Sequence, residues 1–261
     1  MTKRISRFTV IAILAGLSTS PSLAQGGEGR TECRDLPTHA QLQAALKAAR
    51  AQPNGGFNLD MWATVVNRDG VVCAVAFTGT ERGDQWPGSR VISAQKAYTA
   101  NAFSLPGLAL STANLFTAVQ PGGTLYGLQH SNPINTLAAY KDPATKFGQS
   151  DDPMVGERVG GVNVFGGGLG LYNSQRRLVG GIGVSGDSSC ADHNIAWRTR
   201  HALTLDFVPA GVSGEADRPD NIVYDIAAGI GQGTGSSSSG WGHPRCSAAA
   251  TSISQTLSFT R

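Results

Sequence analysis

Between Val162 and Gly186 the chain places glycine at positions 166, 167, 168, 170, 180, 181, 183 and 186. Glycine carries no Cβ, so this stretch brings main chain, without side-chain obstruction, up to whatever lies beside it. Val162 to Tyr172 and Arg177 to Val184 read as two strands of a hairpin turning at Asn173-Ser174. A hairpin makes an antiparallel sheet, and the expected neighbour of its bare main chain is a flat or acidic guest.

The same stretch contains two local motifs that its context excludes. Gly181-Ile-Gly183-Val-Ser-Gly186 matches G-x-G-x-x-G, and Asp206 lies twenty residues beyond. A dinucleotide site needs a parallel strand after the helix, whereas this helix runs into Pro209-Ala210-Gly211. Ser185 resembles the nucleophile of a G-x-S-x-G elbow, but Asp187 occupies the final glycine position. Asp192 and His193 follow on one helix, and neighbours there cannot converge with Ser185 as a triad. What survives is the N-terminus of that helix, whose N–H groups suit a ligand carboxylate. Cys-x-x-Cys-His, His-Glu-x-x-His and phosphate-loop signatures are absent from the sequence.

Lys3, Arg4 and Arg7 precede an apolar run, Phe8 to Leu17, and Ser22-Leu23-Ala24 supplies small residues where a signal peptidase reads. Residues 1–24 therefore read as a secretory leader cleaved near Ala24, giving a periplasmic or secreted protein. No apolar run is long enough to span a bilayer, so no membrane insertion is expected after cleavage. Without the leader, 18 basic residues face 18 acids. A neutral surface lacks the basic field that nucleic acid requires, which excludes that partner. Cys33, Cys73, Cys190 and Cys246 all lie beyond the leader. The spacings Cys190-x-x-His193 and His243-x-x-Cys246 admit a Cys2His2 zinc site. An oxidising compartment favours disulfides instead, Cys190–Cys246 and Cys33–Cys73.

Thr38 to Gln41 resembles a capping box, with Leu42, Leu46 and Ala49 at helical spacing up to Pro53-Asn54-Gly55-Gly56. Trp62 to Asn67 and Val71 to Phe77 are strand-like runs joined at Asp69-Gly70. Ser89 to Phe103 reads as a second helix with Ser93, Lys96 and Thr99 three residues apart, and a short helix follows Ser111. Residues 121–159 read as an elaborated surface loop, and Ser189 to Leu205 as a third helix. The organisation is thus a leader at 1–24, an α+β domain at 25–208 with a loop insertion at about 124–159, and a loop-rich extension at 209–261.

Taken in order, Gly70, the helix Ser93-Ala-Gln-Lys96-Ala-Tyr-Thr99-Ala, Gly122-Gly123 and Gly180 to Gly186 resemble the GlcG/HbpS-like haem-binding family. That family includes the C-terminal domain of PduO-type proteins, and the resemblance covers about residues 38 to 206. It implies a profilin-like fold, a largely antiparallel sheet flanked by helices, in a homo-oligomer. The family's acidic residue in the last helix matches Asp192, whereas Cys190 and His193 are not part of its usual pattern. Some members bind haem, which makes haem the expected cofactor.

The expected ligand-binding residues are Ser93, Lys96, Thr99, Gly183, Ser185, Gly186 and Asp192. Haem iron accepts a neutral imidazole, and the candidate axial ligands are His193, beside the glycine turn, and His130, in the long loop. His39, His201 and His243 read as helix caps or water-facing residues. The function these features favour is an exported haem- or tetrapyrrole-binding protein for sequestration or sensing, without turnover. The alternative is an enzyme acting on a small hydroxy- or keto-acid through Lys96 and Asp192.

Overall fold

Thr38 caps the first helix, α1 (His39–Arg50), through a complete capping box with Gln41. Leu42, Leu46 and Ala49 form its buried stripe. The chain then makes β1 (Trp62–Asn67) and β2 (Val72–Phe77). Their turn requires Gly70, which sits at φ 75°. Asn67 Oδ1 closes the turn by accepting the N–H groups of Asp69 and Val71. Helix α2 (Ser89–Phe103), β3 (Gly168–Tyr172), β4 (Leu178–Ser185) and helix α5 (Ser189–Ala202) complete the frame. Short helices α3 (Leu128–Ser131) and α4 (Thr136–Ala139) lie in the insertion, and α6 (Ala248–Ser254) lies near the C-terminus. The computed structural model describes residues 32–141, 143–227 and 235–261. The leader expected at 1–24 lies outside the described residues.

The four strands form one antiparallel sheet in the order β2-β1-β4-β3. Helices cover both faces, so the fold is α+β with a flanked antiparallel sheet. Ala63, Val65, Ile182 and Val184 point to the side of α1 and α5, where they pack with Leu42, Leu46, Ile195 and Trp197. Trp62, Val66, Val75 and Phe77 point the other way, towards Val91, Ala94 and Ala97 of α2.

The glycines of β4 do not face a guest. Gly181 and Gly183 lie directly under α2, where a Cβ on Gly183 would run into the Ser93 carbonyl oxygen and the Ala97 nitrogen. A Cβ on Gly181 would meet the Ala97 carbonyl oxygen. Helix main chain therefore rests on strand main chain, and the bare strand is sealed by α2. Close approach here serves packing.

Two further expectations change at the periphery. Residues 121–159 are irregular but anchored. The Asp152 carboxylate accepts from Arg90 Nε (2.9 Å), from the Gly148 N–H (2.6 Å) and from the Met154 N–H (2.8 Å), and Met154 itself is core. Helix α5 ends at Ala202 rather than Leu205, because Thr204 turns into the left-handed region at φ 56°. The extension is knitted into the rest of the chain. Arg200 and Asp220 form a fully buried ion pair, and Trp197 Nε1 donates to the Ser258 carbonyl. Disulfides join Cys33 to Cys73 and Cys190 to Cys246. Loops of 40 and 56 residues give each bridge about 4 kcal/mol in the chain-entropy picture.

Candidate functional site

Because the glycines let α2 sit low on the sheet, Lys96 reaches past β4. Its ammonium donates to the Val184 carbonyl (3.0 Å) and to Asp192 Oδ2 (2.6 Å) on the first turn of α5. Asp192 Oδ1 accepts the Asp187 N–H at 2.9 Å. Both side chains are almost wholly buried. Burial pushes the Lys96 ammonium down and is opposed by Asp192. Burial likewise pushes the Asp192 carboxyl up to about 6, against the pull of Lys96. An ammonium has three hydrogens, and among the described residues Lys96 uses two.

The pair forms one wall of a cleft of about 280 Å³, with Ser89, Ser185, Asp187 and Ser189 as its other polar groups. Trp86, Ile92 and Phe165 supply the apolar wall, and Trp86 and Phe165 are half exposed at its mouth. The arrangement suits a small oxygen-rich molecule with a short apolar part.

Of the residues singled out in the sequence, this cleft gathers Lys96, Ser185 and Asp192. Ser93 turns to the sheet instead, bonding Thr64 Oγ1 and the Arg90 carbonyl, both at 2.7 Å. Thr99 is buried between the Gln95 carbonyl and the Asn163 N–H. Gly183 is under α2, and Gly186 packs against Asp60 and Met61. The sequence reading missed Ser89, Ser189 and Phe165, which carry no motif.

The histidines are redistributed. His193 is fully enclosed, its ring 6.0 Å from that of Trp197 and its Nε2 3.2 Å from Asn221 Oδ1. Burial holds its pKa down at about 3. No plate-sized ligand can reach that ring, because residues 221 and 222 of the extension close over it. His130 stands on the short helix α3 and lines neither this cleft nor the groove below.

His39, read from sequence as a cap or water-facing residue, borders a second cavity. This groove measures about 730 Å³ and is enclosed by residues 33–40 at the start of α1, by β2 and by residues 149–156. Leu36, Pro37, Ala40, Ala74, Val75 and Val155 make its lining largely apolar, with Arg34 beside them. His39 Nε2 lies 2.9 Å from the Gly148 carbonyl oxygen. A carbonyl only accepts, so Nε2 carries the hydrogen and the neutral ring keeps its lone pair on Nδ1. Nothing in the local sequence announces this, since Gly148 is 109 residues away.

Residues 38–200 match the family model described as "Haem degrading protein HbpS-like". The chain belongs to the HbpS-like family. It is similar to Klebsiella pneumoniae protein ORFY at 24% identity, with a TM-score of 0.43 over 63% of this chain and 87% of that one. It is also similar to PduOC, solved as a haem complex, at 25% identity and a TM-score of 0.45, covering 65% and 96%. HbpS itself shares 19% identity at a TM-score of 0.39, covering 74% and 99%. No curated protein matches the chain. The HbpS-like match ends at residue 200, so the extension carrying Asn221, His243 and Cys246 falls beyond it.

Proposed function

We propose that this chain is an exported protein that binds haem or a related tetrapyrrole, holding it for sequestration or sensing without converting it. Membership of the HbpS-like family supports the ligand class. The observation that carries the reading is His39: an imidazole whose Nε2–H is fixed by a backbone carbonyl, with a lone pair left on Nδ1, at the edge of a long apolar groove. Iron-ligating histidines are held in this way, the second ring nitrogen donating to a carbonyl or carboxylate. The donor set suits haem. His39 would supply the axial nitrogen, the aliphatic walls would cover the ring, and Arg34 would pair a propionate. When bound, haem would supply a redox-active iron centre able to take a small ligand. Two disulfides support export, and no helix among the described residues is long and apolar enough to cross a membrane. Exposed Tyr126, Leu137 and Tyr140 on the insertion support a homo-oligomer.

Haemin titrated into the mature protein should give a Soret shift that saturates at one per chain. His39→Ala should weaken binding at least about tenfold, in the range seen when a metal ligand's support is lost. Absence of a Soret shift in the wild type overturns the function. A shift indifferent to His39→Ala overturns the ligand while leaving the function.

The cleft beside Lys96 favours a second reading, an enzyme acting on a small hydroxy- or keto-acid. There Asp192, held up to about 6, would exchange a proton and Lys96 would hold the carboxylate. Thermal stabilisation by such acids and not by haemin would select this reading.

A further inference from the structure

The Lys96 cleft contains groups that neither reading uses. Ser189, the first residue of α5, lines the cleft, and its Oγ lies 2.8 Å from Nε2 of His243. On the other side of that ring, Nδ1 lies 2.7 Å from the Pro244 carbonyl oxygen. The carbonyl can only accept, so Nδ1 carries the hydrogen and Nε2 presents its lone pair to the serine. The Gly166 N–H donates to the same Oγ at 2.6 Å, which leaves the hydroxyl hydrogen for Nε2. Hydroxyl, imidazole and orienting acceptor follow one another as they do where a serine is made nucleophilic.

Three features around the pair fit that role. His243 is buried, and burial holds its pKa down at about 4, opposed by the Pro244 carbonyl and reinforced by the Lys96 charge. The ring is therefore a neutral base at pH 7. The Lys96 ammonium lines the same cleft with one hydrogen unused among the described residues, and the N-terminus of α5 adds partial positive charge. Finally, Cys190 adjoins Ser189 in sequence and is bridged to Cys246, three residues beyond His243. The disulfide thus clamps the loop carrying the base to the helix carrying the hydroxyl. The HbpS-like match supplies Ser189 and Lys96, while the extension beyond residue 200 supplies His243.

We propose that Ser189 and His243 are a nucleophile–base pair that hydrolyses small carboxylic esters with a short apolar acyl group. Ser189 Oγ bonds to the ester carbonyl carbon as its proton passes to His243 Nε2. The carbonyl oxygen becomes an oxyanion facing Lys96. Collapse breaks the ester C–O bond, and the leaving alkoxide takes the proton from Nε2 to depart as the alcohol. Water then attacks the acyl-serine, giving a proton to Nε2. Release of the carboxylic acid returns that proton to Ser189 Oγ. The cleft volume of about 280 Å³ and the Trp86, Ile92 and Phe165 wall limit the acyl group to a few carbons.

The test uses the mature protein with both disulfides intact. A fluorophosphonate probe should add once per chain, on Ser189 by peptide mass spectrometry, and p-nitrophenyl acetate should be hydrolysed above the buffer rate. His243→Gln, with a melting curve like the wild type, should slow both at least about 100-fold, the usual worth of a general base. Ser189→Ala should abolish the adduct. No adduct on Ser189 in the folded wild type overturns the proposal, as does an adduct formed at the same rate in folded His243→Gln.

Discussion

The two cavities are built in opposite ways. The Lys96 cleft lies within the packing of the domain: its charges are buried, its shape depends on α2 resting on bare strand, and a disulfide pins its rim. The His39 groove lies at β2, the outer strand of the sheet, and opens between the start of α1 and residues 149–156. A site buried in the core can hold charges in fixed geometry, because the low dielectric and the close packing leave them nowhere to relax. A site at the edge can take a large flat ligand without disturbing the core. Substitutions at the buried charges of the cleft should therefore change stability, whereas those at His39 and Arg34, on the surface of the groove, should change binding more than stability.

The largest effect expected is Lys96→Met. It leaves Asp192 buried without its partner and should cost about 3–5 kcal/mol by denaturant melting, with most of the loss recovered in the Lys96→Met/Asp192→Leu double variant. Gly183→Ala comes next. Its methyl meets helix backbone, which cannot give way as a flexible side chain can, so a loss of roughly 3 kcal/mol is expected. If Gly183→Ala melts like the wild type, α2 does not rest on β4 as described.

Acid should weaken the cleft side of the molecule. His243 and His193 are held neutral in the fold, at about 4 and about 3, and regain an ordinary pKa when unfolded. Between pH 6.5 and 4 the unfolded chain binds protons that the folded chain refuses, so stability falls as pH falls. Each histidine contributes up to about 1.4 kcal/mol per pH unit. Asp192, raised to about 6, protonates first in the fold and offsets part of this loss. Stability measured against pH should thus decline below 6.5, and less steeply in His243→Gln. The smallest effect is Arg34→Ala, which removes an exposed charge at the groove. It should weaken haemin binding by about 1 kcal/mol or less and leave the melting temperature unchanged.

The frame of the molecule was legible because it rests on local rules. The Thr38 capping box, the stripe of Leu42 and Leu46, and the Asp69-Gly70 turn act over a few residues, and the structure forms each of them. The glycine run was legible as a demand for close approach, but glycine spacing is the same whether the neighbour is a ligand or a helix. Only the small residues of α2, Ser93 and Ala97, pointed to the helix. Within the site, Lys96 and Asp192 were visible through the family pattern. His193 reads as available because it follows the glycine turn, yet adjacent residues of a helix point about 100° apart and only its neighbour Asp192 faces the cleft. The burial of His193 is decided by Asn221 and Ile222, far along the chain. His39 and His243 were hidden for the same reason: each is defined by a contact across 109 or 54 residues. For His243 a signal did exist, since His243-x-x-Cys246 paired with Cys190 already places the ring near the start of α5.

A crystal of the mature protein grown with haemin, measured at the iron absorption edge, locates the metal without reference to any other contact. The account predicts one anomalous peak per chain within bonding distance of His39 Nδ1, with the ring lying along β2. A peak at any other side chain, or haem seated against Lys96 and Asp192, contradicts it.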